Sequence, residues 1–272
     1  WQEFPLTSSG LDNWPPEDER SIEHVEAIAR SFIERRQHHV SLLMWSCGNE
    51  LMGDLEGHKT GMGKPCDATH PMLKRLIEVT QELDPKRRVL ATSPSVPRAG
   101  ASADDFGKGL HWDVHGGAAL MENLEEAKQY WARDDALFRS EVYCSGASPL
   151  ALIRKYAGEM QIEPPTAENP YWSRLTTWWI DWDRLLSIHQ REPSNLEEYI
   201  RWSQQHQALM ISLEMKACKD RFPRCGGVLM WSGHDTFPLT INTSLIDFDG
   251  NLKPSALSVK QVWCEPPFRT FP

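Results

Sequence analysis

Apolar runs with no polar face recur along this chain, and amphipathic helical patterns separate them. Val40-Ser41-Leu42-Leu43-Met44-Trp45, Arg88-Val89-Leu90-Ala91-Thr92, Ala136 to Val142 and Gly226 to Trp231 read as strands without a wet side. Leu110 to His115 reads as an alternating strand ending in Gly116-Gly117. Between them, Ser21 to His38 places Ile22, Val25, Ile28, Phe32 and Ile33 on one helical face. His70 to Leu83 repeats the pattern with Leu73, Leu76, Ile77 and Thr80, and stops at Asp84-Pro85, where proline cannot continue a helix. Leu120 to Arg133 is a further helix, and Ser194-Asn195-Leu196-Glu197 has the form of a capping box opening a long one to about Asp220. Strands buried on both faces and joined by helical crossovers imply a parallel sheet covered by helices, an α/β fold.

An open doubly wound sheet and a (β/α)8 barrel both satisfy that order, and the polar residues choose between them. Glu50, His115, Glu141 and Trp231-Ser232-Gly233-His234-Asp235 all fall at the carboxyl ends of strands. Barrels build their active sites at that face, from the ends of several strands. No glycine-rich phosphate fingerprint follows any strand, which disfavours the nucleotide-binding alternative. A length of 272 residues accommodates one large α/β barrel or two smaller domains. A net charge of −9 argues against broad nucleic-acid affinity, because phosphate binding draws on clustered Lys and Arg. No apolar run approaches the roughly 18 to 20 residues of a membrane span.

"WSCGNE", residues 45–50, is the most informative strand end. An amide and a carboxylate stand side by side where the backbone leaves the core. Glu141 ends a second strand, three further on, and strands three apart face each other across a barrel mouth. Two carboxyl groups about 5 to 5.5 Å apart, one a nucleophile and one an acid/base, are what a retaining glycosidase requires. A lone glutamate at a strand end is as well read as a solvated or ion-paired carboxylate; two at matched ends in apolar surroundings favour chemistry. Twelve tryptophans fit a sugar-binding protein, since indole faces stack on pyranose rings, although they also fill cores.

"HHVSLLMWSCGNE" (38–50) resembles the acid/base segment of glycoside hydrolase family 2, whose usual form is close to H-P-S-x-x-x-W-x-x-G-N-E; Val40 stands where that family commonly has proline. "ALFRSEVYCSG" (136–146) is similar to its nucleophile strand, and "GGVLMWSGHDTFPLTINTSLIDFDGNLKPSALSVKQVW" (226–263) to its last strand and following helix. "WQEFPL" (1–6) resembles the end of the third barrel strand, and "GLHWDVHGG" (109–117) the sixth. "WQEF", "WSCGNE" and the "LMW" to "FP" ending are nearest to the β-mannosidase-like branch.

The resemblance implies a retaining exo-β-glycosidase, with β-D-mannosides the favoured substrates and β-galactosides, β-glucuronides or β-glucosaminides behind them. Glu50 would be the acid/base and Glu141 the nucleophile. Asn49 would hydrogen-bond the sugar 2-hydroxyl and Trp231 would form the floor under the ring. Trp1, Glu3 and Asp235 would line the pocket. Relatives often carry a tyrosine at the sixth strand end, against the nucleophile; this chain offers Trp112, Asp113 and His115 there. No cofactor and no metal are implied. With Trp1 to Phe4 ending strand three, residues 1–272 are expected to be the C-terminal part of a barrel, lacking strands one and two and the β-sandwich domains that precede it in the family. The alternative class is a carbohydrate-binding fragment without turnover.

The remaining features read structurally. Cys47, Cys66, Cys144, Cys218, Cys225 and Cys264 form no CxxC pair, and small buried thiols are expected, with one or two disulfides the alternative. Tyr171-Trp172 and Trp178 to Trp182 are expected to pack their segment down, or else to wall a cleft. His38-His39 is a helix C-terminal pair rather than a metal site. Phe248-Asp249-Gly250-Asn251 is a tight turn in which glycine supplies a positive φ.

Overall fold

The first unit of the chain is built on an N-terminal helix whose ends are spelled out locally. In the computed structural model, which describes residues 1–7, 13–56, 58–59, 61–116, 123–174 and 177–265, contacts divide the chain into two compact units. The first comprises Trp1–His115 with Asp135–Ser140, and the second Gly116–Asp134 with Glu141–Pro272.

In the first unit, β1 (Gln2–Glu3) precedes α1 (Glu19–Arg36), which Asp18 caps by accepting the Ser21 N–H. β2 (Met44–Ser46), the hairpin of β3 (Met52–Gly53) and β4 (Lys64–Pro65), α2 (Pro71–Leu83), β5 (Arg88–Leu90) and β6 (Val114–His115) follow. β1, β2 and β5 form a parallel sheet in that order, with Gln2 opposite Trp45 and Trp45 opposite Val89. The two helices pack on it through Ile33, Leu73, Leu76 and Val79, closing over Phe4 and Trp45, whose rings stack at 5.5 Å. The Trp45 indole donates to Asp84 at 2.9 Å, so the one polar atom of that buried ring is satisfied. At the rim of the pair, Glu26 accepts from Arg30 and Arg75 together, and Arg30 reaches on to Glu82.

The expected strand from Val40 to Trp45 is corrected here. Only Met44–Ser46 is strand, Val40 is fully exposed and Leu43 is largely so. The chain must reverse after α1, and it does so through His39 N–H to Arg36 O and Leu42 N–H to His39 O. Arg87 then donates to the carbonyls of His39 and Leu42. Turn formation, not hydropathy, decides these residues.

In the second unit come α3 (Leu124–Arg133), β7 (Arg139–Val142, whose first two residues belong to the first unit), β8 (Gly146–Ala147), α4 (Leu150–Ala157) and α5 (Pro170–Ser173). α6 (Trp182–His189), α7 (Leu196–Asp220), β9 (Val228–Met230), β10 (Ile241–Asn242) and α8 (Pro254–Cys264) complete it. The long helix α7 is its spine. One side packs α3 and α8 through Ala127, Trp131, Met210, Ile211, Met215 and Val262. Leu196, Tyr199, Ile200 and Trp202 meet α4 to α6 on another, where Tyr171 and Trp172 are buried as packing residues. The cap of α7 lies one residue later than the sequence reading placed it: Asn195 accepts the Glu198 N–H at 2.9 Å, while the Glu198 carboxylate takes the Ser194 N–H at 2.7 Å. β8 and β10 pair antiparallel, a departure from the all-parallel expectation. Lys253, wholly buried, holds them by donating to the Gly146 and Asn242 carbonyls; burial lowers its pKa to about 8.

Among the described residues the strands form no closed ring, and none of the six cysteines is in a disulfide, Cys264 being exposed and the others buried. Gly250 has the positive φ expected of the turn at Asp249. Gly117 and Leu120 to Glu122 lie outside the described residues, as does the side chain of Trp178.

Candidate active site

The end of β2 is clamped from both sides before it releases Glu50. Asn49 N–H donates to Leu6 O at 2.8 Å, Ser93 N–H to Gly48 O at 3.0 Å, and Glu50 N–H to Ser93 O at 2.6 Å. The Thr92 hydroxyl accepts the Leu51 N–H at 3.0 Å. Between these anchors Glu50 takes a φ of +51°, the left-handed region that L-residues seldom occupy. Gly48 is required by the close approach of a neighbouring segment. A Cβ there would sit 2.5 Å from Leu6 O and 2.7 Å from Leu51 Cδ1, so the segment after β1 can lie against β2 only over a glycine.

Glu50 is half-buried, and His115 at the end of β6 places Nδ1 3.1 Å from its Oε1. The other ring nitrogen of His115 lies 2.8 Å from Ser93 Oγ. Asn49 Oδ1 is buried without a hydrogen-bond partner among the described residues, an acceptor with spare capacity at the strand end. Burial raises the pKa of Glu3, against the Trp1 indole, which donates to it at 3.3 Å. The Trp1 ring lies 5.2 Å from Phe138. Asp113 is buried and its pKa is raised by that burial; the Ser140 hydroxyl and the Ser95 N–H donate to it. Trp112 is exposed and donates its indole N–H to Ser95 O at 2.9 Å. Of the residues expected at a pocket, the first unit thus gathers Glu50 and His115 in direct contact, with Glu3 within electrostatic reach of both.

The second unit holds Glu141, Trp231 and Asp235. Glu141 is half-buried on β7, and the Trp231 N–H donates to Val142 O at 3.0 Å, which anchors the segment after β9 beside β7. The exposed Trp231 ring meets Tyr143 edge-on at 5.9 Å and Trp179 at 5.8 Å. Asp235 is buried; Oδ1 accepts from the Asn242 amide at 2.6 Å and Oδ2 has no partner among the described residues.

Ser93, Thr92 and Ser140 were not singled out from sequence. The available signal was the run Thr92-Ser93-Pro94-Ser95, small hydroxyl residues at a strand end like the one bearing Glu50. Away from this site, Asp54, Glu56 and His58 on the β3–β4 hairpin bring one ligand atom each within 4.8 Å of one another; Asp54 and His58 are already hydrogen-bonded together.

No curated protein matches the chain by sequence. Among solved structures, a β-D-mannosidase from Dictyoglomus thermophilum is similar with a TM-score of 0.72 and 20% identity, over 97% of this chain and 31% of that one. An exo-chitosanase from Amycolatopsis orientalis is similar at 0.57 and 14%, over 91% and 28% respectively. The chain spans about a third of the length of these structures, and identities so low speak to the fold alone. The family described as "Glycosyl hydrolases family 2, TIM barrel domain" matches residues 1–136, half of the 272. The chain therefore belongs to glycoside hydrolase family 2.

Proposed function

We propose that this chain carries the catalytic pair of a retaining exo-β-glycosidase acting on terminal β-D-mannosides. The observation that supports it best is Glu50 itself: a half-buried carboxyl on a clamped, left-handed strand end, with a buried imidazole on one oxygen. In the first step Glu141 attacks the anomeric carbon while the proton of Glu50 passes to the departing glycosidic oxygen, leaving a glycosyl ester on Glu141. In the second, Glu50 takes a proton from water as its oxygen attacks that carbon and the ester bond breaks. Asn49 hydrogen-bonds the 2-hydroxyl, Trp231 supports the ring face, and Trp1, Glu3, Trp112 and Asp235 line the surroundings. The choice of mannoside rests on the motifs "WQEF" and "WSCGNE", and a β-D-mannosidase is among the structures of similar fold.

The test is hydrolysis of p-nitrophenyl β-D-mannoside, galactoside, glucuronide and glucosaminide, with the first-formed anomer read by proton NMR. Turnover of the mannoside with the β-anomer appearing first is the expected result. An α-anomer formed first would remove the double displacement; preference for another sugar would move the substrate within the family; no hydrolysis of any would overturn the proposal.

A further inference from the structure

We propose that Ser93 and His115 are positioning residues for Glu50, forming a hydroxyl–imidazole–carboxyl chain that confines the catalytic proton to one oxygen of the glutamate. The inference rests on the assignment of Glu50 as acid/base. His115 is 5% exposed and Ser93 1%, so both act from inside the protein. Nδ1 of His115 lies 3.1 Å from Glu50 Oε1, and Nε2 lies 2.8 Å from Ser93 Oγ.

The proton positions follow from the chemistry of the groups. An ionised carboxylate only accepts, so Nδ1 carries the hydrogen that lies between His115 and Glu50. In the neutral ring Nε2 is then bare, and the Ser93 hydroxyl donates to it. Without that hydroxyl the bare Nε2 loses its donor, and the Nδ1–H tautomer keeps one of its two hydrogen bonds. Oε1 remains an acceptor whether Glu50 is charged or neutral, because the carbonyl oxygen of a protonated carboxyl still accepts. The acid proton therefore sits on Oε2 in the first step and returns to Oε2 in the second. One imidazole tautomer serves both half-reactions, and nothing in the chain has to rearrange between them.

This assigns His115 to Glu50 rather than to the sugar, since both ring nitrogens have protein partners. It also divides Ser93 into two parts. Its backbone belongs to the frame, taking the Glu50 N–H and giving its own N–H to Gly48. Only the hydroxyl belongs to the relay, so Ser93→Ala removes the relay and leaves the frame.

The measurement pairs nitrogen NMR with leaving-group dependence. In the native chain, 15N shifts of His115 are expected to show a protonated Nδ1 and an unprotonated Nε2, with the Nε2 signal displaced in Ser93→Ala. On phenyl β-D-mannoside, which needs a proton at its leaving oxygen, Ser93→Ala should lower kcat/KM, which reports the first step alone, about 10-fold; on the 2,4-dinitrophenyl glycoside the loss in kcat/KM should stay within about twofold. His115→Asn, whose amide can stand where Nδ1 does, should resemble Ser93→Ala, whereas His115→Ala should lose about 100-fold on the phenyl substrate alone. Equal losses on both substrates would mean a merely structural role and overturn the inference, as would a native hydrogen on Nε2. If the native chain hydrolyses none of the panel, the glycosidase reading fails by itself; the nitrogen shifts need no turnover and still decide whether the relay exists.

Discussion

Glu50 keeps a backbone conformation that costs an L-residue about 1 to 2 kcal/mol, and it does so where a side chain must be aimed. The hydrogen bonds to Leu6, Gly48 and Ser93 over-determine that short stretch, which is why the strained residue persists. A direct consequence separates strain from chemistry. Glu50→Gly should unfold at higher urea than Glu50→Ala, by about 1 kcal/mol, because glycine occupies positive φ freely and alanine does not. Both variants lose the carboxyl, so their activities should fall together while their stabilities diverge. Equal midpoints would show that the turn relaxes in solution. The carboxylate itself was legible in "WSCGNE", since an acid beside an amide at a strand end is chemically conspicuous. The conformation was not, because glutamate does not advertise a left-handed φ. What Gly48 answers is the approach of the Leu6 carbonyl, a contact with a distant part of the chain that no local pattern encodes.

At the scale of elements, helices were legible and strands only partly so. α1, α2 and α7 have apolar stripes over several turns, and their ends carry caps or a proline stop. β3, β4, β8 and β10 are two residues each, shorter than any alternation can register, and Val40 shows that an apolar run can be spent on a turn. The capping of α7 gives a quantitative expectation: Asn195→Ala removes the acceptor for the Glu198 N–H and should lower stability by about 1 kcal/mol in urea unfolding. Substituting Ser194, the residue the sequence pattern favoured, should cost less, because its backbone N–H still reaches the Glu198 carboxylate when the hydroxyl, a second contact to that carboxylate, is gone. The same helix carries a pH sensor of folding. Burial, helped by the charge of Arg184, lowers the pKa of His206 to about 4, against about 6.5 in an unfolded chain. Between those values the unfolded state binds a proton that the native state refuses, so His206 contributes its full stability above about pH 6.5 and loses it as the pH falls toward 4. The span is at most about 3 kcal/mol, and His206→Phe should flatten the stability profile over that window by a comparable amount. An unchanged slope between pH 6.5 and 4 would mean that another group takes up the proton.

On the scale of the whole molecule, each compact unit carries one of the two carboxylates assigned to catalysis, Glu50 in the first and Glu141 in the second. The family was legible in sequence because catalytic strand ends are short strings in which a few residue types are chemically compelled. The sugar stays a proposal, because recognition of individual hydroxyls draws on many loops, and this chain spans about a third of the structures it resembles. The proposed double displacement assigns the carboxylates unequal tasks, and that inequality can be measured without knowing the natural substrate. Glu141→Ala should abolish turnover of every glycoside, however good its leaving group, since no glycosyl ester can form. Glu50→Ala should behave differently on a 2,4-dinitrophenyl glycoside. Its leaving group needs no proton, so the first step proceeds and the ester accumulates, with water attacking slowly for want of a base. A burst of dinitrophenolate followed by a slow steady state is the expected trace. Azide, small and already anionic, needs no base and fits the space the carboxylate vacated. It should restore steady turnover of Glu50→Ala and release a β-glycosyl azide, with configuration retained because two inversions have occurred. Azide acting on Glu141→Ala would invert instead and yield the α-azide. The two products exchange places if the roles of Glu50 and Glu141 are reversed, so the configuration of one azide adduct per variant decides which carboxylate is which.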